Sequence, residues 1–323
     1  MSKIFVTRPI PDAGLNLLKE NGHQVVVNKT KVAPSQAQII KAIKGKGYDA
    51  LLSVLTEKVD DIVMAAAGPQ LKIIANFAVG FDNIDLAVAK KRGILVTNAP
   101  SDEISETVAE HTVALMLAMA RRLVESDKFT RQGKYKAWDP FGFLGADLSG
   151  KVLGVVGLGR IGAAVVRRAV RGFNMKVMYY DVKPNTDFEK EYDITLSSLD
   201  QVLEDADFIS VHVPLLPSTR HLIGSHQLAL MKKTAYLINT SRGPVVDEKA
   251  LVKALKSKAI SGAGLDVYEF EPRLAPGLSK LPNTILTPHI ASASLATRQV
   301  MSLTAAKNII AALSGQTPPN LAK

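Results

Sequence analysis

The stretch Lys151–Asp181, KVLGVVGLGRIGAAVVRRAVRGFNMKVMYYD, decides the fold. Val152–Val156 is an apolar run of the length of a buried strand. Gly157-Leu158-Gly159-Arg160-Ile161-Gly162 follows with the spacing G-x-G-x-x-G. Ile161, Ala164, Val165 and Ala169 then recur at helical spacing, and a second apolar run, Val177–Tyr180, ends in Asp181. Each part suits a dinucleotide. Gly157 permits a tight turn out of the strand, Gly159 lets a pyrophosphate approach the backbone, and Gly162 lets the helix pack close to the strand. Leu158, Arg160 and Ile161 complete the same turn, and the helix N-terminus offers N–H groups and partial positive charge to the phosphates. Asp181, about 20 residues beyond the last glycine, is placed to accept hydrogen bonds from the adenosine ribose. Glycines alone would equally fit an ordinary strand-to-helix turn; strand, glycines, helix, strand and acid in this order specify a cofactor site. Asp181 favours NAD (as NADH) over NADP, because a carboxylate repels a 2′-phosphate, although Lys183 nearby pulls the other way.

On the N-terminal side, residues 1–98 alternate short apolar runs with helical stretches. Ile4–Val6, Val25–Val27, Ala50–Leu52, Ile73–Ala75 and Ile94–Val96 read as strands. Asp12–Glu20, Ser35–Lys44, Asp60–Ala67 and Leu86–Arg92 read as helices. This alternation predicts a second parallel sheet covered by helices, and it contains no G-x-G-x-x-G. Ligands of such sheets sit beyond the carboxyl ends of the strands, which singles out Ser53–Thr56, with Leu55, and Asn76–Asp85, where Val79 and Gly80 would present backbone to a carboxylate. A strand end running into an Asp-capped helix explains the second stretch as well.

Pro100 and Ser101 mark a boundary, with Ser101 as an N-cap. The following helix, read as Asp102–Val124, is apolar on most faces and therefore buried. Arg131–Asp147 is irregular and carries Trp138, Pro140, Phe141 and Phe143, which fits either an oligomer contact or a local cover on the core. Beyond Asp181 the alternation resumes, with strands at Phe208–Val213, Ala235–Asn239, Ala259–Leu265 and Thr284–Thr287. Helices lie between them at Leu199–Glu204, His226–Leu230 and Glu248–Leu255. A last helical stretch, Ser292–Leu313, lies outside this second unit and is placed to return to the first. The expected fold class is α/β, with two doubly wound parallel-sheet domains. A Rossmann cofactor domain (100–288, with a dimerisation helix and loop at about 102–147) is inserted into a discontinuous flavodoxin-like substrate domain (1–99 plus 289–323).

The bulk numbers narrow the function classes. The chain has 323 residues, no cysteine and a formal net charge of +10. Absence of cysteine removes disulfides, thiolate metal sites and cysteine nucleophiles together, and no metal site is expected. The basic residues are spread over several helices without interleaved aromatics, so they read as solvated faces rather than a nucleic-acid surface. No apolar run reaches membrane-spanning length, and no signal segment is read at the N-terminus, so a cytoplasmic protein is expected.

Three polar residues follow strands of the cofactor domain. Arg242 lies in NTSRGP, and its planar fork suits a carboxylate. Glu271 lies in LDVYEFEP, and His289 follows LTP. Read alone, Arg242 fits a surface turn and His289 a strand-end histidine bonded to backbone. Together the three form a set suited to carbonyl reduction. His111, inside the apolar helix, reads as a packed helix residue.

Six segments in order, NFAVGFDNID, VVGLGRIG, HVPLLPST, LINTSRGPVVD, GAGLDVYEFEP and LTPHIAS, resemble the D-isomer-specific 2-hydroxyacid dehydrogenase family. The resemblance covers essentially the whole chain and is strongest to the glyoxylate/hydroxypyruvate reductase branch. It implies that Arg242 holds the substrate carboxylate and polarises the keto oxygen, with help from the backbone at Val79 and Gly80. It implies that His289 donates the proton as hydride arrives, and that ionised Glu271 keeps that histidine protonated and oriented. Asp266 would meet the nicotinamide carboxamide, Val213, Thr240 and Ser241 would line the cofactor site, and Leu55 would touch the small end of the substrate. Trp138 lies in a loop that reaches the neighbouring subunit's site in this branch, so a homodimer is implied. The resemblance thus implies NADH-dependent reduction of glyoxylate to glycolate and of hydroxypyruvate to D-glycerate. Two other readings share the motifs: a D-3-phosphoglycerate dehydrogenase, which needs cationic groups near the substrate's far end (Lys58 is the nearest to Leu55), and an NAD-sensing corepressor-like binding protein.

Overall fold

The computed structural model describes residues 1–30 and 32–322. Its strands are β1 Lys3–Val6, β2 Gln24–Val27, β3 Ala50–Val54, β4 Ile73–Phe77, β5 Leu95–Thr97, β6 Val152–Val156, β7 Lys176–Tyr180, β8 Thr195–Leu196, β9 Phe208–Val211, β10 Tyr236–Asn239, β11 Gly262–Leu265 and β12 Thr284–Leu286. Its helices are α1 Asp12–Glu20, α2 Gln36–Ile43, α3 Asp61–Ala67, α4 Leu86–Lys91, α5 Asp102–Ala120, α6 Leu123–Arg131, α7 Arg160–Phe173, α8 Thr186–Tyr192, α9 Leu199–Asp205, α10 Ser225–Leu230, α11 Glu248–Lys256 and α12 Leu295–Leu313.

The chain divides into two units, Met1–Ile104 with Ala293–Lys323, and Ser105–Ser292. The divisions fall slightly later than the positions read from the sequence, 99/100 and 288/289. His289 therefore belongs to the second unit, where its N–H donates to Asp266 O at 2.9 Å.

In the first unit the five strands pair in the order β2-β1-β3-β4-β5, all parallel. β4 is buried along its whole length, whereas β2, at an edge, is not. That contrast is what helices on both faces of a parallel sheet produce, and it explains the continuous apolar run Ile73–Ala75. Ile39, Leu51, Val63 and Ile74 are in the core on one side of the sheet. α12 completes this unit from the far end of the chain. Asn308 Nδ2 donates to Asn98 O at 2.9 Å, and Ser302 Oγ donates to Pro11 O at 2.6 Å. The helix starts at Leu295 rather than Ser292 because the Ser294 hydroxyl accepts the Thr297 N–H at 3.1 Å and caps it there.

In the second unit seven parallel strands pair in the order β12-β11-β10-β9-β6-β7-β8. The order reverses at β6, whose neighbours are β7 and β9, so a crevice opens at the carboxyl end of β6. Val155, Val165, Tyr179 and Phe208 form part of the core around it. The apolar helix read as Asp102–Val124 is two helices. The carbonyl of Ala120 accepts the Ala146 N–H at 2.9 Å, which ends α5. Arg122 turns left-handed at φ 53°, ψ 36° before α6 begins. No helix among the described residues is long and apolar enough to cross a membrane.

Candidate active site

The glycine loop of the second unit has the geometry its spacing predicts. Gly157 sits at φ +100°, a left-handed conformation that side chains avoid. A Cβ on Gly162 would lie 2.2 Å from Gly157 O, so α7 can pack this closely only with glycine there. A Cβ on Gly159 would meet nothing within 4 Å. Gly159 is also the N-cap residue of α7, and among the described residues no side chain caps that helix, so its first N–H groups are open to a ligand. Leu158 is buried, Arg160 is exposed, and Ile161 and Val213 are half-buried. Asp181 is at the end of β7. Its Oδ2 accepts the Leu158 N–H and its Oδ1 the Val182 N–H, both at 2.7 Å, which fixes the carboxylate beside the glycine loop. This donor set fits a dinucleotide.

Arg242, Glu271 and His289 lie together in the same unit for a topological reason. β10, β11 and β12 are adjacent and parallel, with Asn239 opposite Leu265 and Leu265 opposite Leu286. The loops leaving those registered ends carry the three residues. His289 Nδ1 is 3.0 Å from Glu271 Oε2, and Glu271 Oε1 accepts the Tyr268 N–H at 3.0 Å. Burial works against the charge on Glu271. The hydrogen bond and charge of His289, the Tyr268 N–H and the Arg242 charge together outweigh it and hold the carboxyl below the ordinary glutamate range. An ionised Glu271 accepts from Nδ1, so Nε2 is the ring nitrogen left to exchange a proton outward.

The Arg242 turn is built by Asn239, whose side chain is buried. Its Oδ1 accepts from both the N–H (3.0 Å) and the hydroxyl (2.8 Å) of Ser241, and its Nδ2 donates to Arg242 O at 3.0 Å. Thr240 Oγ1 lies 2.9 Å from Thr112 Oγ1 on α5. Asp266 is fully buried. Its carboxylate accepts the Thr287 hydroxyl at 2.6 Å, the Ile290 N–H at 2.8 Å and the Ala291 N–H at 2.7 Å. Both of its oxygens are thus engaged in shaping the turn around His289, which sits at φ 55°. Among the described residues, Asp266 Oδ2 accepts only the Ala291 N–H and keeps acceptor capacity for a further donor. His111 is more than a packed helix residue. Its Nε2 lies 3.1 Å from Thr287 Oγ1 and 3.6 Å from Asp266 Oδ1, joining α5 to the same network. Neither Asn239 nor His111 is marked as functional by its local sequence. The only signal for Asn239 is its place directly before the Thr240–Arg242 turn.

The remaining expected contacts lie elsewhere. Leu55 is half-buried and Val79 exposed in the first unit. There Asn76 Nδ2 donates to Gly80 O at 2.9 Å and Asn98 Nδ2 to Val79 O at 2.6 Å. Trp138 follows α6 and is 80% exposed.

Fold and site define a dinucleotide-dependent α/β oxidoreductase. Residues 113–291 match the model of the D-isomer specific 2-hydroxyacid dehydrogenase NAD-binding domain. The chain is 51% identical over 322 residues to a glyoxylate reductase of Korarchaeum cryptofilum, covering 99% of this chain and 95% of that one. The TT0316 protein of Thermus thermophilus superposes with a TM-score of 0.91 at 42% identity, over 99% of this chain and 100% of that one. An NADPH-dependent glyoxylate/hydroxypyruvate reductase from Sinorhizobium meliloti, solved with NADP and malonate, gives 0.87 at 32% identity, over 99% and 96%. The chain belongs to the D-isomer-specific 2-hydroxyacid dehydrogenase family.

Proposed function

We propose that this protein reduces small 2-oxo acids with NADH, glyoxylate to glycolate and hydroxypyruvate to D-glycerate. The observation that carries the reading is the Glu271–His289 pair, 3.0 Å apart on the sheet that bears the glycine loop. Full-length similarity to glyoxylate reductases supports the substrate class.

The bound reduced nicotinamide supplies the hydride. Arg242 holds the substrate carboxylate through its planar fork and draws electron density toward the keto oxygen. His289 gives the proton from Nε2 to the developing alkoxide, while Glu271 holds Nδ1, fixes the ring and balances its charge. Gly157–Gly162 and the N-terminus of α7 bind the pyrophosphate, Asp181 the ribose, and Val213, Thr240 and Ser241 line the remainder. Placing a carboxylate at the ribose favours NADH over NADPH. Exposed Tyr135, Trp138, Phe141 and Leu144 on one segment support a homodimer that covers them; a sedimentation experiment finding only monomer would contradict it. A cytoplasmic setting belongs to the same proposal.

Initial rates of NADH oxidation with glyoxylate, hydroxypyruvate, pyruvate and 3-phosphohydroxypyruvate test the reading. Fast turnover of the first two is expected. Turnover confined to the phosphorylated acid would replace it with the 3-phosphoglycerate reaction.

A further inference from the structure

We propose that Glu248 is a positioning residue for the reaction, a buried clamp that sets the loop carrying Glu271 against His289; this rests on the proton-donor reading above. Glu248 opens α11 and is 2% exposed. Nothing in the chemistry above uses it, yet its two oxygens are spent on one loop. Oε1 accepts the Glu269 N–H at 2.6 Å, and Oε2 accepts the Ala275 N–H at 3.1 Å. Those N–H groups bracket the turn that holds Glu271, where the Arg273 N–H donates to Phe270 O at 2.8 Å. One carboxylate therefore ties down both ends of the segment.

The other side of that segment is fixed by contact. A Cβ on Gly243 would lie 1.9 Å from the carbonyl carbon of Tyr268. The Arg242 turn and the Tyr268–Glu271 turn thus touch backbone to backbone, and Glu248 holds the second against the first. The Tyr268 N–H, one residue before the clamped Glu269, is the donor to Glu271 Oε1. Displacement of the loop therefore reaches Glu271 directly.

The charged groups around the clamp make its use informative. Burial, with the charges of Glu269 and Glu271, pushes the Glu248 carboxyl up, against the two N–H bonds it accepts. Glu269 is itself held by Arg220 at 3.3 Å and His221 at 2.7 Å. Glu271 faces His289 and Arg242, and the Tyr268 hydroxyl donates to Leu265 O and Thr287 O. A buried carboxylate among other carboxylates is costly, and here that cost is offset by the two loop N–H groups it satisfies.

The test is Glu248→Gln, which keeps the volume and removes one of the two acceptors, with Glu248→Asp as a second variant that keeps both acceptors on a shorter stem. Glu271→Gln is run beside them. The readouts are kcat/KM for glyoxylate reduction against pH, from initial rates taken before the nicotinamide decays in acid, and the Kd of NADH from its fluorescence. Glu271 is held low by His289 and the Tyr268 N–H, so activity is lost as pH falls through its carboxyl. Loosening the loop weakens both contacts and moves that acid limb to higher pH. For Glu248→Gln the limb is expected to rise, with kcat/KM down about tenfold or more and the NADH Kd unchanged; Glu248→Asp is expected to shift it in the same direction by less. An acid limb at the wild-type position in whichever variant folds, while Glu271→Gln has lost activity, overturns the clamp. Full activity in Glu271→Gln overturns the proton-donor reading instead.

Discussion

The two units have related sheets and opposite treatment of the same crevice. In each, the strand order reverses beside the first strand, at β1 and at β6, where such folds hold ligands. In the first unit the crevice is filled from within. Glu57 is buried at the end of β3, accepts the Thr7 hydroxyl at 2.7 Å, and also accepts the Val54 N–H. The N-terminus of α1 is taken by Ser302, whose hydroxyl accepts the Gly14 N–H at 3.0 Å. In the second unit no described side chain takes the first N–H groups of α7 as Ser302 takes that of Gly14, and the space over Gly159 is open. Strand–helix alternation thus specifies the layers, and what occupies the helix N-terminus after the first strand specifies which layer binds a phosphate.

The largest effect expected from breaking that contrast is at the proton donor. His289→Ala should lower kcat by about 100- to 10,000-fold while the NADH Kd stays near the wild-type value. Retention of full turnover would remove His289 from the chemistry.

A paired substitution probes the two helix starts. Gly162→Ala and Gly14→Ala place a Cβ 2.2 Å from Gly157 O and 2.1 Å from Ser302 O, respectively. Each should cost about 1–3 kcal/mol of stability in thermal unfolding. Only Gly162→Ala should also weaken NADH binding at temperatures where both variants are folded. Equal loss of NADH affinity in the two would erase the distinction between the units.

The smallest effect is at the ribose. Asp181→Ala should narrow the preference for NADH over NADPH by about tenfold, read as the ratio of kcat/KM values. An unchanged ratio would place cofactor selection elsewhere.

Much of this is legible in the sequence, for identifiable reasons. Asp12–Glu20 and the buried strands stand out because periodicity and burial are both strong there. α8 and β8 escape a sequence reading. TDFEKEY is polar, and Thr195–Leu196 is a short exposed edge. α8 is held by the Asn185 cap and by a 2.6 Å bond from Tyr179 to Glu189, which no local pattern announces. The break after Ala120 is hidden because its cause, the Ala146 N–H, comes from a later segment. At the site, Arg242, Glu271 and His289 are visible as polar residues after strands. Glu248, Asn239 and His111 are not, because Glu248 and Asn239 act on backbone of the site loops and His111 on Thr287, which lies 176 residues away.

The central claim, hydride transfer by a site built on the second unit, is tested most directly with NADH deuterated at the transferring position. Mass spectrometry of the product formed from glyoxylate by the wild-type protein should show glycolate carrying one deuterium for each NADH consumed. NADH that binds and is never consumed, with no labelled glycolate, would contradict the account and leave a dinucleotide-binding protein without this chemistry.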